Sequence, residues 1–273
     1  MKKLLHKAIN AFGFQVSRLP KPQPPQAHKQ PVYAKYFVRE EEGLALYETP
    51  IGNYFVPAGI NTDVVINHMR SGDYFDLPII EVAKEYIKPN SAVLDVGANF
   101  GQMSVLFSQL VGKNGKVYAF DADDFVFEVL KKNIKANKAD NVICTFGAVH
   151  ELQNQIFIFP KQDFKRFGAY GSYGIDPNAK EGREVPSLTI DSLNIETPIS
   201  FMKVDIQGSD LAAMRGAKQT ILKNKMPIIF EFEQQFQADF GTCFQDYVEF
   251  VNEIGYRFER VVMDINYLIV PKD

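Results

Sequence analysis

The pattern of apolar and polar positions divides the chain into two parts. In the first, alternating stretches at residues 43–49 and 53–56 predict two strands joined by a tight turn. Helical periodicities follow at 62–69 and 77–87, and the second ends at a Pro-Asn pair. Residues 32–88 are therefore predicted to form a small appendage made of a β-hairpin and helices.

The second part, residues 89–273, alternates helical patterns with short apolar runs typical of strands buried on both faces. Alternating strand and helix units predict a doubly wound, mostly parallel α/β sheet, which here ends in an antiparallel C-terminal hairpin. The predicted strands are 92–96, 116–120, 141–146, 200–204, 227–232, 257–262 and 267–270, with a short arm at 155–159, and the predicted helices are 102–111, 123–138, 211–222 and 243–254.

Two segments precede these parts. Residues 1–19 carry three lysines and place apolar side chains at helical spacing, which predicts a basic amphipathic helix. Such a helix can lie on an anionic membrane surface, and the alternatives are a frayed tail or a helix docked on its own domain. Residues 20–31 contain five prolines and predict an extended linker.

Composition narrows the class of protein. The formal net charge of -3 gives no bulk attraction to nucleic acid phosphates. The two cysteines, Cys144 and Cys243, are far apart and lack metal-ligand spacing, which favours a reducing cytoplasm. We therefore expect a cytoplasmic protein that binds no nucleic acid, with peripheral contact at the inner membrane surface if residues 1–19 bind lipid.

The stretch 164–185 has no hydrophobic period and is rich in glycine and tyrosine. Long irregular loops in compact domains are usually functional or disordered. One interpretation is a mobile lid in which Tyr170 and Tyr173 stack on a ligand, and the other is disorder.

Chemistry is concentrated at the first strand-to-helix turn. Gly97 and Gly101 let the backbone turn tightly between the strand 92–96 and the following helix. Asp121 ends the next strand, where an acidic residue can bind both hydroxyls of an adenosine ribose. The turn therefore predicts a nucleoside site, and the alternative is a purely structural turn of an α/β protein.

The residues in this turn favour one nucleoside cofactor. Dinucleotide sites place pyrophosphate against bare backbone, and the carboxylate of Asp95 would repel it. S-adenosylmethionine has no phosphate; Asp95 can attract its ammonium and Asn99 can hydrogen-bond its amino-acid end. The predicted cofactor residues are Asp95, Gly97, Asn99, Gly101, Gln102, Asp121, Ala122 and Ala148, the last with its backbone beside the adenine.

Two motifs resemble the FkbM family of methyltransferases. Residues 94–102 (LDVGANFGQ) are similar to its first motif and residues 202–210 (MKVDIQGSD) to its second. The chain departs from the second at Gln207 and Asp210, where the family usually has Glu, and has Asp121-Ala122 where Glu-Pro is common. The resemblance implies a Rossmann-like class I methyltransferase fold and O-methylation of sugars in surface glycans and glycolipids, or of natural products.

The second motif also has a physical interpretation. Lys203 and Asp205 alternate with one apolar residue, so they share a face at the carboxyl end of their strand. A carboxylate there can take the proton of an attacking hydroxyl, and Asp205 is the predicted general base. The alternative is that Asp205 caps the next helix or anchors the loop.

Glu231 and Glu233 share one face of the next predicted strand. With Lys203, Tyr170 and Tyr173 they are the predicted substrate-binding residues. A divalent metal held by Glu231, Glu233 and Asp205 is the alternative to a Lys203–Glu231 ion pair, and the ion pair is favoured because no tight ligand spacing exists. No metal ligands are therefore predicted.

Several alternatives stay open at this point. His68 and His150 could replace Asp205 as the base, and Asp191 most simply caps a turn. A nucleic-acid methyltransferase is disfavoured by the net charge and by the missing Asp/Asn-Pro-Pro-aromatic segment. Methylation of a nitrogen or a natural product, a non-catalytic S-adenosylmethionine-binding module and a nicotinamide dehydrogenase remain as rivals.

Overall fold

The computed structural model describes residues 32–162 and 168–272, so the predictions for residues 1–31 lie outside it. Thirteen strands are found within these ranges. They are β1 (Phe37–Glu41), β2 (Leu44–Thr49), β3 (Gly52–Pro57), β4 (Ala92–Val96), β5 (Lys116–Asp121), β6 (Val142–Phe146), β7 (Ala148–Val149), β8 (Ile156–Phe159), β9 (Arg183–Leu188), β10 (Ile199–Val204), β11 (Ile228–Glu231), β12 (Tyr256–Val262) and β13 (Asn266–Pro271).

The described residues also form eight α-helices and three short 3-10 turns. The helices are α1 (Val64–Ser71), α2 (Leu77–Tyr86), α3 (Gln102–Val111), α4 (Asp124–Ala136), α5 (Asp210–Arg215), α6 (Lys218–Asn224), α7 (Gln234–Phe240) and α8 (Phe244–Glu253). Among the helices of these ranges, none combines the length and apolar character that crossing a bilayer requires.

Seven strands form the central sheet in the order β12-β13-β11-β10-β4-β5-β6. All neighbouring pairs from β11 to β6 are parallel, and β13 runs antiparallel between β11 and β12. The predicted doubly wound sheet and its C-terminal hairpin are therefore confirmed. The strand order reverses between β4 and β10, and open α/β sheets bind ligands outside the carboxyl ends of their strands at such a point.

Successive residues of β4 pack on opposite faces of the sheet, which explains why four of its five residues are apolar. Val93 packs in the cluster formed with α2 and α3, whereas Leu94 packs in the cluster that contains residues of α5 and α8. All five residues of β4 are buried. Strands covered on both faces are usually apolar throughout. A buried Asp95 in this strand is costly unless its carboxylate has a partner or a role in binding.

Within residues 32–88, the range predicted as an appendage, β1, β2 and β3 form an antiparallel sheet that packs against α4. Side-chain amides attach this sheet to α4: Asn133 accepts a hydrogen bond from Phe55 N at 2.6 Å and donates to Phe55 O at 3.0 Å. Asn137 bonds Asn53 N and O at 2.8 and 2.7 Å. Strand β1 was not predicted, because it is an exposed edge strand without apolar alternation.

Two predicted elements are corrected, and one helix was not predicted. The helix predicted at 211–222 is two helices, α5 and α6, separated at Gly216, where an added Cβ would lie 2.1 Å from His150 O. The loop predicted at 164–185 ends earlier, because β9 begins at Arg183 and pairs with β7 and β8 in a small sheet. Helix α7 was missed, since its short polar sequence has no clear apolar stripe.

Candidate active site

The turn from β4 to α3 touches the end of β10 backbone to backbone. Gly97 has φ 81°, and a Cβ at this position would lie 1.9 Å from Asp205 O. Only glycine fits there, because the close approach leaves no room for a Cβ, and the left-handed backbone further favours glycine. The two motifs recognised in the sequence therefore meet at this contact.

The amide groups of this turn are all engaged within the protein. Gly97 N and Ala98 N donate to Phe120 O, and Asn99 N donates to Asp121 Oδ2 at 2.8 Å. Phe100 N donates to the side chain of Asn99 at 2.7 Å, and Gly101 N donates to Ala98 O at 2.9 Å. A pyrophosphate would need such amides as donors, and none of these five is left for one.

Asp121 fixes the turn through both carboxylate oxygens. Besides Asn99 N, it accepts a hydrogen bond from Asp123 N at 2.9 Å. Burial raises the pKa of Asp121 to about 7, although these two amides act in the opposite direction. Each oxygen still has a further lone pair for a ligand hydroxyl.

A cavity of about 410 Å³ opens at the carboxyl ends of β4, β5, β10 and β11. This volume lies within the range of about 300–1,000 Å³ typical of small-molecule sites. Gly101 lies behind its wall and allows close packing on Leu130. Every other predicted site residue lines it: Asp95, Gly97, Asn99, Gln102, Asp121, Ala122, Ala148, Tyr170, Tyr173, Lys203, Asp205, Glu231 and Glu233.

Gln102 lines the cavity and also hydrogen-bonds a neighbouring loop. Its Oε1 accepts a hydrogen bond from Phe75 N at 2.9 Å, and its Nε2 donates to Asp73 O at 3.0 Å. The amide therefore holds the loop between α1 and α2 against the first turn of α3.

Lys203 is the cation at the centre of the cavity wall, and only 5% of its surface is exposed. Its Nζ lies 3.2 Å from Asp205 Oδ2 and 3.9 Å from Asp95 Oδ1, and it donates to Gly97 O at 3.0 Å. Burial by itself would lower the pKa of Lys203, but the carboxylates of Asp205 and Asp95 raise it above its usual value. The predicted Lys203–Glu231 ion pair is wrong, because Lys203 pairs with Asp205 and Asp95 instead.

Asp95 is fully buried, and only one of its two carboxylate oxygens accepts a hydrogen bond within the described residues. Oδ2 accepts a hydrogen bond from Ser104 Oγ at 2.5 Å, while Oδ1 makes no hydrogen bond within the described residues. Burial, the largest effect, raises the pKa of Asp95. A buried acceptor without a donor is costly, so a donor from a ligand or its water would stabilise it.

Glu231 belongs to a cluster of carboxyl groups beside Asp205. It accepts a hydrogen bond from Gln207 Nε2 at 2.9 Å and shares a hydrogen bond with Glu233. Burial and then the charges of Asp205, Asp210 and Glu233 raise the pKa of Glu231 far above its usual value. Among residues 32–162 and 168–272, no group of three or more His, Cys, Asp or Glu has the arrangement of a metal site.

The described part of the glycine- and tyrosine-rich loop lies over both motifs. Tyr170 N donates to Asp63 Oδ2 at 2.8 Å, and the Tyr170 ring stacks on Phe125 with centroids 5.4 Å apart. An added Cβ on Gly171 would lie 2.8 Å from Asn99 Nδ2, and one on Gly174 would lie 2.9 Å from Ile206 O. The loop therefore closes one side of the cavity between the two motifs.

Comparison with known proteins gives the family. The model of the methyltransferase FkbM domain matches residues 95–258, which is more than half of the chain. The chain belongs to the FkbM methyltransferase family. Its sheet is the Rossmann-like class I methyltransferase fold that the resemblance implied.

Individual relatives of this family member are distant. A probable cobalt-precorrin-6B C(15)-methyltransferase (decarboxylating) of Sulfolobus acidocaldarius is 31% identical over 81 residues, covering 30% of this chain and 42% of that protein. A ribosomal protein L11 methyltransferase of Acetivibrio thermocellus is 32% identical over 71 residues, covering 26% and 22%. The chain thus spans less than half the length of these curated relatives.

One solved structure similar to this FkbM family member is methyltransferase FkbM from Methylobacillus flagellatus KT. The sequences are 16% identical, the TM-score is 0.45, and the match covers 75% of this chain and 52% of that one.

The two histidines considered as alternatives to Asp205, His68 and His150, do not line the cofactor cavity of this family member. His150 Nδ1 accepts a hydrogen bond from Leu152 N at 3.1 Å, and its ring packs on Phe157. His68 lines a neighbouring cavity instead. Asp191 accepts from Gln219 N and Thr220 N, so it caps the first turn of α6, as expected.

Sequence reasoning missed Asp76, which the structure brings into the cavity wall. It precedes α2 in a left-handed conformation with φ 53°, and its side chain makes no capping hydrogen bond. Burial and then the charge of Asp205 raise the pKa of Asp76 to about 7. An Asp before a helix that has proline in its first turn is typical of a cap, and that pattern concealed its position.

Proposed function

We propose that this chain binds S-adenosylmethionine in the cavity and transfers its methyl group to a hydroxyl of a sugar, in a surface glycan, a glycolipid or a related small molecule. The observation that carries the proposal is the combination of an acidic cavity with a turn whose amides are already hydrogen-bonded. These features disfavour a pyrophosphate and favour a cationic ligand without phosphate.

The residues present fit this cofactor. The unused Oδ1 of Asp95 can accept from an ammonium group, directly or through a water molecule. Asp121 keeps lone pairs for the ribose hydroxyls after binding Asn99 N and Asp123 N. Ala122 and Ala148 supply a small apolar wall for the adenine.

The chemistry assigned to the chain itself is proton removal and positioning. S-adenosylmethionine supplies an electrophilic methyl group on a sulfonium. A hydroxyl becomes a good nucleophile only as its proton leaves, and Asp205 is a partly exposed carboxylate in the cavity that can accept this proton. Lys203 and Gln207 contact opposite oxygens of Asp205, at 3.2 and 3.4 Å, and so set its orientation.

The proposal is tested in two stages. Isothermal titration should show binding of S-adenosylmethionine and of its demethylated product, and no binding of NAD. Labelled S-adenosylmethionine is then offered with a panel of glycans and glycosides, with amine and natural-product acceptors as comparisons. Binding without transfer to any acceptor would indicate a non-catalytic module, transfer to amines would overturn the hydroxyl assignment, and preference for NAD would overturn the cofactor.

A further inference from the structure

A second cavity of about 540 Å³ adjoins the cofactor cavity. Phe75, Asp76 and Met263 line both cavities, so the two meet at a shared wall. We call the second one the outer cavity; His68, Tyr74 and Leu77 also line it. Asp76 lines both cavities whereas Asp205 lines only the cofactor cavity, so the outer cavity extends the space available to an acceptor past Asp76.

The shared wall is built and held by specific contacts. Gln102 binds the backbone at Asp73 and Phe75, and this fixes the loop that separates the cavities. Asp76 follows in a left-handed conformation, which costs energy for a residue with a Cβ. Since its carboxyl makes no capping hydrogen bond, the unusual backbone leaves the carboxyl at the junction.

The lining of the outer cavity indicates the chemistry of its occupant. Asp73 and Asp76 offer carboxylate oxygens, which accept strong hydrogen bonds from hydroxyl groups. His68, Tyr74 and Phe75 offer rings, and His68 already packs on Phe75 with centroids 5.7 Å apart. Ring faces beside carboxylates suit a ligand with both apolar faces and many hydroxyls, which is the character of a sugar ring.

We propose that the outer cavity is a subsite for the sugar unit next to the one that is methylated, and that Asp76 binds a hydroxyl at the junction between the two units. The acceptor is then an oligosaccharide rather than a single sugar. This inference rests on the proposed function, since it places the reacting hydroxyl at Asp205.

The test measures binding, so it does not depend on turnover. Methyl glycosides of glucose, galactose, mannose and rhamnose are titrated by ligand-observed NMR, each beside disaccharides that carry the same ring. At least one disaccharide should bind about tenfold or more tightly than its methyl glycoside. Equal affinities in every pair, or absence of binding by all of the disaccharides, would overturn the subsite, while titration of the cofactor tests the proposed function separately.

Two variants and one control test whether the extra affinity for the disaccharide arises in the outer cavity. Leu77→Trp fills the outer cavity from an exposed position and should abolish the advantage of the disaccharide while leaving the methyl glycoside unchanged. Leu152→Trp, at an exposed leucine outside both cavities, is the matched control and should keep it. Asn also tolerates a left-handed backbone, so Asp76→Asn should keep the local conformation and reduce the extra affinity for the disaccharide. If Leu77→Trp still bound the disaccharide more tightly than the methyl glycoside, the subsite would be refuted. Octyl glycosides that bind as tightly as the disaccharides would also refute a sugar subsite.

Discussion

The ammonium group of Lys203 donates a hydrogen bond of 3.0 Å to the carbonyl oxygen of Gly97. One residue belongs to the second sequence motif and the other to the first, and 106 positions separate them. A buried cation therefore joins the glycine turn to the strand that ends at Asp205. The same cation lies between the carboxylates of Asp95 and Asp205, so the turn, the base and the acidic wall form one unit.

Replacing Lys203 should therefore damage the fold as well as the site. Lys203→Met leaves Asp95 buried without its cation, and breaking such a pair typically costs about 3–5 kcal/mol. Urea denaturation should show this loss in the free energy of unfolding. Lys84→Met removes the exposed Lys84–Glu81 pair and is the control, with an expected change of about 0–1 kcal/mol. Equal effects of the two changes would contradict the central role of Lys203.

The register of the sheet explains why the ion-pair partner of Lys203 could not be predicted from the sequence. Lys203 lies opposite Asp95 on β4 and opposite Ile229 on β11, so Glu231 stands two residues farther along. Sequence spacing correctly indicated that the strand ends would meet, because parallel strands share one carboxyl edge. It could not supply the register between strands distant in sequence, and the ion pair depends on that register.

Loop residues set a second limit on prediction from the sequence. Asp76 reaches the cavity because the preceding loop is held by Gln102. Gln207 bridges Asp205 and Glu231 from a left-handed position. Neither position follows from a hydrophobic period, since irregular backbone is placed by tertiary contacts.

Asp121→Asn tests the ribose-binding role with little change in shape. One acceptor oxygen remains for the turn, the NH2 group can no longer accept from one of the two backbone amides, and the charge-assisted hydrogen bonds to a ligand are lost. Such bonds contribute about 1.5–3 kcal/mol, so the Kd for the demethylated cofactor should rise about tenfold or more in calorimetry. Asp124→Asn, at the exposed first residue of α4, is the control and should leave the Kd unchanged. An unaltered Kd in Asp121→Asn would remove Asp121 from the site.

Glu231→Gln should change how stability depends on pH. The pKa of Glu231 is raised in the folded protein, so the folded state holds its proton more tightly than the unfolded chain does. Its contribution is complete below the ordinary value of 4.5 and is lost as pH rises toward the raised pKa. The wild type should therefore lose up to about 1.4 kcal/mol per pH unit from this group, and Glu231→Gln should not.

Thermal unfolding from pH 5 to pH 9 measures this difference. Glu249→Gln on α8 is the matched control, because Glu249 is an exposed carboxylate outside the cluster. Parallel pH profiles for the wild type and Glu231→Gln would show that Glu231 ionises normally in the folded protein.

Removing residues 1–30 should leave the fold and the affinity for S-adenosylmethionine intact. The segment is predicted to be a basic amphipathic helix followed by a proline-rich linker, so its proposed role is contact with a membrane surface. Co-sedimentation with vesicles rich in phosphatidylglycerol should fall in the shortened chain. A variant in which Lys2, Lys3 and Lys7 become Gln should show the same loss, and failure of the unshortened chain to co-sediment with these vesicles would exclude the membrane role.

Asp205→Asn separates chemistry from binding at the proposed base. The amide keeps the size of the side chain and can still accept a hydrogen bond, but it cannot take a proton from the acceptor hydroxyl. Methyl transfer from labelled cofactor should fall about 10²-fold or more in kcat, while the Kd for the cofactor changes little, because the proton moves only in the transition state. Asp239→Asn, at an exposed position on α7, is the control and should retain full turnover. Near-normal turnover in Asp205→Asn would rule out the base and direct attention to Glu233 and Asp76, two further carboxyl groups that line the cavity.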